Sequence, residues 1–220
     1  MEQATYRPET LPTPGLPFRL RRLRAEDADS LVRHGNNPKI AVNLQDRFPQ
    51  PYTRADGLSF IDYANAAPAE SVFGIEVEGA VVGVCSLLFK TDVFAVSAEI
   101  GYWLSEQHWG KGIMTEVVRV LARHAFDDYE LERVYANVYD YNPASARVLQ
   151  KAGFELEGRA RNAGRKNGRL INSQVAPTSS IFLIRNRLAY SARRTVLWIS
   201  TMATPMNNNR VMAAARPIAL

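Results

Sequence analysis

The run Glu99-Ile-Gly-Tyr-Trp-Leu-Ser-Glu-Gln-His-Trp-Gly-Lys-Gly-Ile-Met-Thr-Glu116 constrains the fold more than any other part of the chain. Apolar, β-rich residues feed a glycine-spaced turn, and the turn opens directly into a helix-patterned segment. Gln107, Gly110 and Gly112 are spaced as Q-x-x-G-x-G, so the backbone can turn tightly without a Cβ. Successive N–H groups and the helix start are then aimed at an anion, which suits a pyrophosphate. A dinucleotide fold asks instead for G-x-G-x-x-G after the first strand of a βαβ unit, with an acidic residue about 20 positions on. Here two glycines sit mid-chain, behind several strands that read as antiparallel. A Walker loop is excluded, because no Gly-Lys is followed by Ser or Thr.

The pattern around this turn predicts a mixed α+β fold. Residues 1–16, broken by Pro8, Pro12 and Pro14, read as an irregular N-terminal extension. Phe18 to Leu23 alternates like a strand, Ala25 to Asn36 reads as a helix opening at Glu26-Asp27, and Thr53 to Ala66 reads as a helix capped by Thr53. Val72 to Val77, Val81 to Lys90 and Ala95 to Leu104 are β-rich, the first two joined by a hairpin at Glu78-Gly79. Gly112 to Phe126 follows as an amphipathic helix with Met114, Val117, Val118, Leu121 and Ala125 on one face. Arg133 to Tyr139 reads as a strand parallel to 95–104, Pro143 to Lys151 as a helix capped by Asn142, and Gly153 to Glu157 as the start of another strand.

Further segments now carry a resemblance. Val138-Tyr-Asp-Tyr-Asn142-Pro-Ala-Ser145-Ala-Arg-Val-Leu-Gln-Lys151-Ala-Gly153-Phe154 resembles the N-x-x-S-x-x-x-L-x-K-x-G-F signature of one branch of the GNAT superfamily of acetyl-CoA-dependent N-acetyltransferases, the branch that acetylates ribosomal-protein N-termini. Phe18 to Ala28 is similar to that branch's first strand and helix start, and Arg47-Phe-Pro-Gln-Pro-Tyr-Thr53 to its loop before the second helix. The turn after Glu99 is similar to the Q/R-x-x-G-x-G/A element that holds the coenzyme A pyrophosphate. Four segments in the right order span roughly residues 17 to 170.

The resemblance implies a GNAT fold, with a mostly antiparallel central sheet, helices on both faces and a splayed parallel strand pair. It implies acetyl-CoA as donor, no metal, and a primary amine as acceptor, either a protein N-terminus or a small amine. The coenzyme site it implies takes the backbone of Tyr102, Trp103 and Leu104, the turn Gln107, His108, Trp109, Gly110, Lys111 and Gly112, and then Thr115, Asn137, Asn142 and Ser145. Glu99 matches the family's general base, acting through water, a role that suits a carboxylate kept among apolar neighbours. Ser145 matches the residue that protonates the leaving thiolate, with Tyr141 as an alternative. Plainer roles stay open for each: a solvated sheet residue for Glu99, helix capping for Asn142 and Ser145, packing for Trp103 and Trp109. The loop Phe48 to Thr53 is either a wall of the acceptor pocket or a Pro-rich turn, and acceptor specificity is expected in loops 44–60 and 158–172.

Composition bounds the alternatives. No stretch reaches the ~18 apolar residues of a membrane helix, and the start is not a signal peptide, which points to a cytoplasmic protein, monomer or homodimer. The single cysteine, Cys85, lies in an apolar run and reads as a buried small hydrophobe. His34, His108 and His124 lack metal-site spacing.

Charge splits the chain in two. Residues 1–157 hold 16 Lys and Arg against 22 Asp and Glu, a net of −6, and residues 158–220 hold 11 basic residues and no acidic one. An acidic catalytic domain matches cationic amines or basic peptide N-termini. After Ile171 the expected acidic residue and final strand give way to Asn-Ser-Gln-Val-Ala-Pro-Thr-Ser-Ser, and Asp, Glu and Lys vanish. The domain is accordingly expected to occupy 17–171, followed by an atypical basic tail at 172–220 that is consistent with a reading-frame change. Ser180 to Leu188 is expected as a substitute last strand, Ala189 to Thr201 as a basic amphipathic segment and Thr204 to Leu220 as irregular. The alternative function is a non-catalytic acyl-CoA-binding protein whose tail arginines, Arg185, Arg187, Arg193, Arg194, Arg210 and Arg216, bind nucleic acid or an anionic surface. With no aromatic interleaving, nucleic acid is the weaker partner.

Overall fold

A computed structural model describes residues 8–66 and 70–179. Its strands are β1 (Thr10–Leu11), β2 (Arg19–Arg21), β3 (Glu70–Val77), β4 (Ala80–Phe89), β5 (Ser97–Leu104), β6 (Arg133–Tyr139), β7 (Gly158–Lys166) and β8 (Arg169–Ser179). Its helices are α1 (Ala28–Gly35), α2 (Pro38–Ala41), α3 (Arg54–Ala66), α4 (Ile113–Asp127) and α5 (Pro143–Ala152). The strands form one sheet in the order β1-β2-β3-β4-β5-β6-β8-β7. Every neighbouring pair is antiparallel except β5 and β6.

Alternation along the strands sends two apolar sets to opposite faces. Phe73, Ile75, Cys85, Leu87, Ile100, Val134 and Ala136 pack with Val117 and Leu121 of α4 and Leu149 of α5. Val72, Val81 and Val84 pack on the other face with Leu31 of α1 and Ile61 of α3. The parity of β4 flips at Val82, the extra residue of a bulge where Ile75 pairs with Gly83 and Glu76 with Val81. Cys85 is fully buried as expected, and burial pushes its thiol up.

The α1 side is tied to the sheet by ions as well as packing. Arg21 on β2 donates to both oxygens of Asp27, at 2.8 Å each, and pairs with Glu76 on β3. Burial alone would push Asp27 up; the bonds from Arg21 and the Arg24 N–H outweigh it and hold the carboxyl below its ordinary value. Thr53 and Asp56 cap α3 reciprocally: the Thr53 N–H donates to the Asp56 carboxylate at 2.8 Å, and the Asp56 N–H to Thr53 Oγ1 at 3.3 Å.

Several expectations need correction. The N-terminal segment is not wholly irregular: Thr10 and Leu11 pair with Arg21 and Leu20, and Leu11 is buried. No strand starts at Gly153; Phe154 to Glu157 run beside β8 with only two bonds to it, and β7 begins at Gly158. Most consequentially, the sheet does not stop near Ile171. β8 continues to Ser179 and pairs with β6 from Arg133↔Ser179 to Tyr139↔Ser173, filling the position of the last strand. Its own residues explain this: Ala176 and Thr178 alternate onto the buried face, opposite Ala136 and Val134, with Ala176 in the core, while Ser173, opposite Tyr139, is buried on the other face. Pro177 is tolerated because its carbonyl accepts from the Glu155 N–H; a residue's N–H and C=O share a side, so the missing donor faces 154–157 and costs β6 nothing. The tail arginines and the expectations for 180–188, 189–201 and 204–220 lie outside the described residues.

Candidate active site

β5 and β6 are paired only from Ser97↔Arg133 to Glu99↔Tyr135. Beyond Glu99 they separate: β5 keeps β4 as its neighbour and β6 keeps β8. The wedge between them opens into a cleft of about 760 Å³, a size suited to a large cofactor.

The alternation of β5 sets which groups look into the wedge. The Ser105 N–H donates to Val82 on β4, whereas the Val96 carbonyl accepts from Arg133 on β6. Even-numbered residues therefore turn their backbone groups toward the wedge and odd-numbered ones toward β4. Tyr102 and Leu104 accordingly offer main-chain hydrogen bonds to an extended ligand, and Trp103 does not, which corrects the expected trio. The Leu104 carbonyl already accepts from Trp109 Nε1 at 2.7 Å. Trp109 is 43% exposed and lines the cleft, which speaks against the plainer packing role. Trp103 does pack, against Phe48 with ring centroids 6.1 Å apart, although it also borders the cleft.

The glycine turn behaves as its spacing predicts. Gly110 and Gly112 have φ of 75° and 79°, and a Cβ built on either meets no protein atom within 4 Å. The protein's own packing leaves that space open, and both residues line the cleft. Gly112 is the N-cap of α4 and supplies no side-chain cap, whereas Asn37 and Asn142 accept from backbone N–H groups to cap α2 and α5. The first N–H groups of α4 thus face the cleft without side-chain partners, as a bound pyrophosphate requires. These features fit acetyl-CoA. Arg147 and Lys151, one turn apart on α5, also line the cleft and add positive charge, which their i,i+4 spacing in the sequence could have signalled.

Of the residues the sequence singled out, the cleft brings together Glu99, Tyr102, Trp103, Leu104, His108, Trp109, Gly110, Gly112, Thr115, Asn137, Asn142 and Ser145. Gln107 and Lys111 are exposed and do not line it. His108 comes to lie against His34, ring centroids 6.1 Å apart, and burial lowers both imidazoles from their ordinary value. Among the described residues no group of three His, Cys, Asp or Glu side chains is placed to hold a metal ion.

Glu99 and Ser145 stand on opposite faces of the wedge. Glu99 shares the parity of Trp103 and faces the α1–α3 side, between Leu88 of β4 and Tyr135 of β6 in the register, where polar groups also reach it. Lys90 Nζ donates to its Oε2 at 3.0 Å and Asn137 Nδ2 to its Oε1 at 2.9 Å. One N–H of the Asn137 amide is therefore engaged with Glu99. On the α4–α5 side, the Ser145 N–H donates to Asn142 Oδ1 at 3.1 Å, while Ser145 Oγ and the Tyr102 hydroxyl share a hydrogen bond of 2.7 Å. Burial pushes the Tyr102 phenol up to about 12. Sequence reasoning valued Tyr102 for its backbone and missed this side-chain pairing. The alternative, Tyr141, is exposed and does not itself line the cleft; its hydroxyl is spent on the carbonyl of Val42, a residue of the cleft wall.

The acceptor-side wall also differs from expectation. Lys39 and Ile40 of α2 and residues 42–45 after it border the cleft, whereas Phe48 stacks on Tyr52 at 4.9 Å behind Trp103. Asn37-Pro38, a cap followed by proline at the first helical position, was the overlooked sequence signal for α2.

Comparison with known proteins agrees with this architecture. Residues 18–155 match the acetyltransferase (GNAT) domain family. The chain is 32% identical over 156 residues, 70% of its length and 87% of the other's, to the uncharacterized N-acetyltransferase p20 of Bacillus licheniformis. It is 37% identical to the ribosomal-protein-serine acetyltransferase of Escherichia coli over 87 residues, 40% of this chain and 48% of that one. Among solved structures, RimJ of Mycobacterium smegmatis in complex with CoA-disulfide superposes with a TM-score of 0.71 at 23% identity, covering 84% of this chain and 93% of that one. No described helix is long and apolar enough to cross a membrane. The chain belongs to the GNAT acetyltransferase family and is an acetyl-CoA-dependent N-acetyltransferase.

Proposed function

We propose that this enzyme acetylates the α-amino group of a protein N-terminus, with Glu99 as general base and Ser145, backed by Tyr102, as general acid. The observation that carries the reading is the placement of a carboxylate and a hydroxyl pair on opposite faces of one wedge. A thioester laid along the edge of β5 would present its carbonyl between them, with the amine approaching from the Lys39–Gln45 side. Glu99, held ready by Lys90 and Asn137, takes the amine's proton through water. The Ser145 hydroxyl delivers a proton to the thiolate as the C–S bond breaks and recovers one through Tyr102, which is in turn reprotonated from solvent while Glu99 releases the amine's proton to solvent, so that both groups end the cycle as they began. The relative from Escherichia coli, a ribosomal-protein-serine acetyltransferase, supports a protein acceptor over a small amine.

The test is thiol release from acetyl-CoA with two peptides of one sequence, one with a free N-terminus and a blocked lysine side chain, the other with these reversed. Acetylation of the first alone is expected. Turnover of the second alone, or of spermidine in preference to both, would replace the protein N-terminus as acceptor.

A further inference from the structure

The β7–β8 hairpin carries a charge opposite to that of the domain it completes. Residues 158–171 hold Arg159, Arg161, Arg165, Lys166 and Arg169 with no acidic residue, whereas residues 1–157 carry a net of −6. Arg159 is paired with Asp140, and Lys166 with Asp46 at 2.7 Å. Arg161, Arg165 and Arg169 are exposed and make no ion pair among the described residues.

The register places this charge beside the cleft. β8 pairs with the last residue of β6 through Tyr139↔Ser173, so residues 161–171 overhang the end of β6 where the wedge opens. Tyr139 lines the cleft, and Asp46, which anchors Lys166, follows Gln45 of the acceptor-side wall. Arg169 is directly opposite Lys166 in the hairpin and so shares its face, toward the acceptor side. β7 also ends the sheet: among the described residues no strand lies beyond it, so its outer backbone groups can pair with an added strand.

We infer that the hairpin docks an acidic polypeptide segment of the acceptor, a few residues downstream of the N-terminus being acetylated. This rests on the protein N-terminus reading above and reverses the expectation, drawn from net charge, of a basic peptide. Arg165, opposite Leu170, lies on the other face of the hairpin from Arg169. Extended peptide satisfies both features of the site, since it can add a strand to β7 while its own side chains alternate between the faces and bring carboxylates to Arg165 on one and Arg169 on the other, with Arg161 further along β7. An RNA strand would use the charge and leave the strand edge unused. Charged edge strands also guard against edge-to-edge aggregation, and that role alone predicts no substrate preference.

The experiment uses the full chain and three peptides sharing their first three residues, followed by four Asp or Glu, four Ser, or four Lys. Exposed charge pairs are each worth up to about 1 kcal/mol, so the acidic peptide is expected to have a KM at least about fivefold lower than the Ser peptide, with kcat unchanged. The preference should fade in 0.5 M salt, whose Debye length is only several ångströms, on the order of 5. It should also vanish in the triple variant R161S/R165S/R169S, with kcat on the Ser peptide retained. Fluorescence anisotropy of the labelled acidic peptide on the coenzyme-loaded enzyme gives a readout independent of chemistry. Turnover of the Ser peptide without acidic preference overturns the inference and leaves the N-terminus reading standing. Binding of the acidic peptide with no turnover of any peptide supports the docking surface and sinks that reading. Equal binding by wild type and triple variant, or tighter binding of a random RNA oligonucleotide, overturns the inference.

Discussion

The two faces of the β5–β6 wedge are built by different means. The α4–α5 face is made largely of backbone: two glycines at positive φ, the uncapped start of α4, and the open edge of β5. The α1–α3 face is made of side chains from distant parts of the chain, with Lys90 and Asn137 on Glu99 and α2 along the wall. A site built from backbone binds a group common to every reaction of its kind, here the coenzyme. A site built from side chains can be changed residue by residue, which suits the acceptor side of the reaction proposed above.

The largest effects should separate the faces outright. Gly110→Val puts a β-branched side chain at φ 75° and fills the space beside the turn, so coenzyme affinity should fall at least about 100-fold by calorimetry. Glu99→Gln should leave that affinity unchanged and lower kcat about 100-fold or more. If instead Glu99→Gln weakened coenzyme binding as much as Gly110→Val, the division would be wrong and Glu99 a coenzyme contact.

A middle-sized effect tests the hydroxyl pair. Ser145→Ala and Tyr102→Phe should each lower kcat about tenfold, and the double variant should lose little more, since the two act in sequence on one proton. Tyr102 raised toward 12 keeps its proton across the working range, so wild-type kcat should not fall on the alkaline side below pH 10 from this group. Strict additivity would assign the two hydroxyls separate tasks.

The same contrast explains what could be read from the sequence. The glycine turn, the α4 stripe, the Glu78-Gly79 hairpin and the Asn142 cap are local, fixed by spacing and φ preference within a few residues. The Tyr102–Ser145 bond, the Lys90 and Asn137 contacts to Glu99, and the Lys166–Asp46 pair join residues far apart in the chain, and no local pattern encodes them. β8 was misjudged for another reason. Residues 172–179 lack the family's pattern, yet strand formation needs only side chains that fit the half-buried surface and an open neighbour; Ala176 and Thr178 are the first and β6 is the second.

The smallest expected effect lies at the junction of the two faces, on Trp109. Its indole N–H occupies the Leu104 carbonyl, one of the wedge-facing groups that an extended coenzyme arm would use. A hydrogen bond of this kind is worth about 1 kcal/mol net, and the exposed ring gives up little packing on leaving. Trp109→Phe removes the competing donor and keeps an aromatic ring beside the turn. Coenzyme affinity should therefore rise about threefold, with kcat for any acceptor within twofold of wild type. A fall in affinity of the same size would mean that the indole holds the bound coenzyme instead of guarding its place, and would move Trp109 from the edge of the wedge into the backbone-built face.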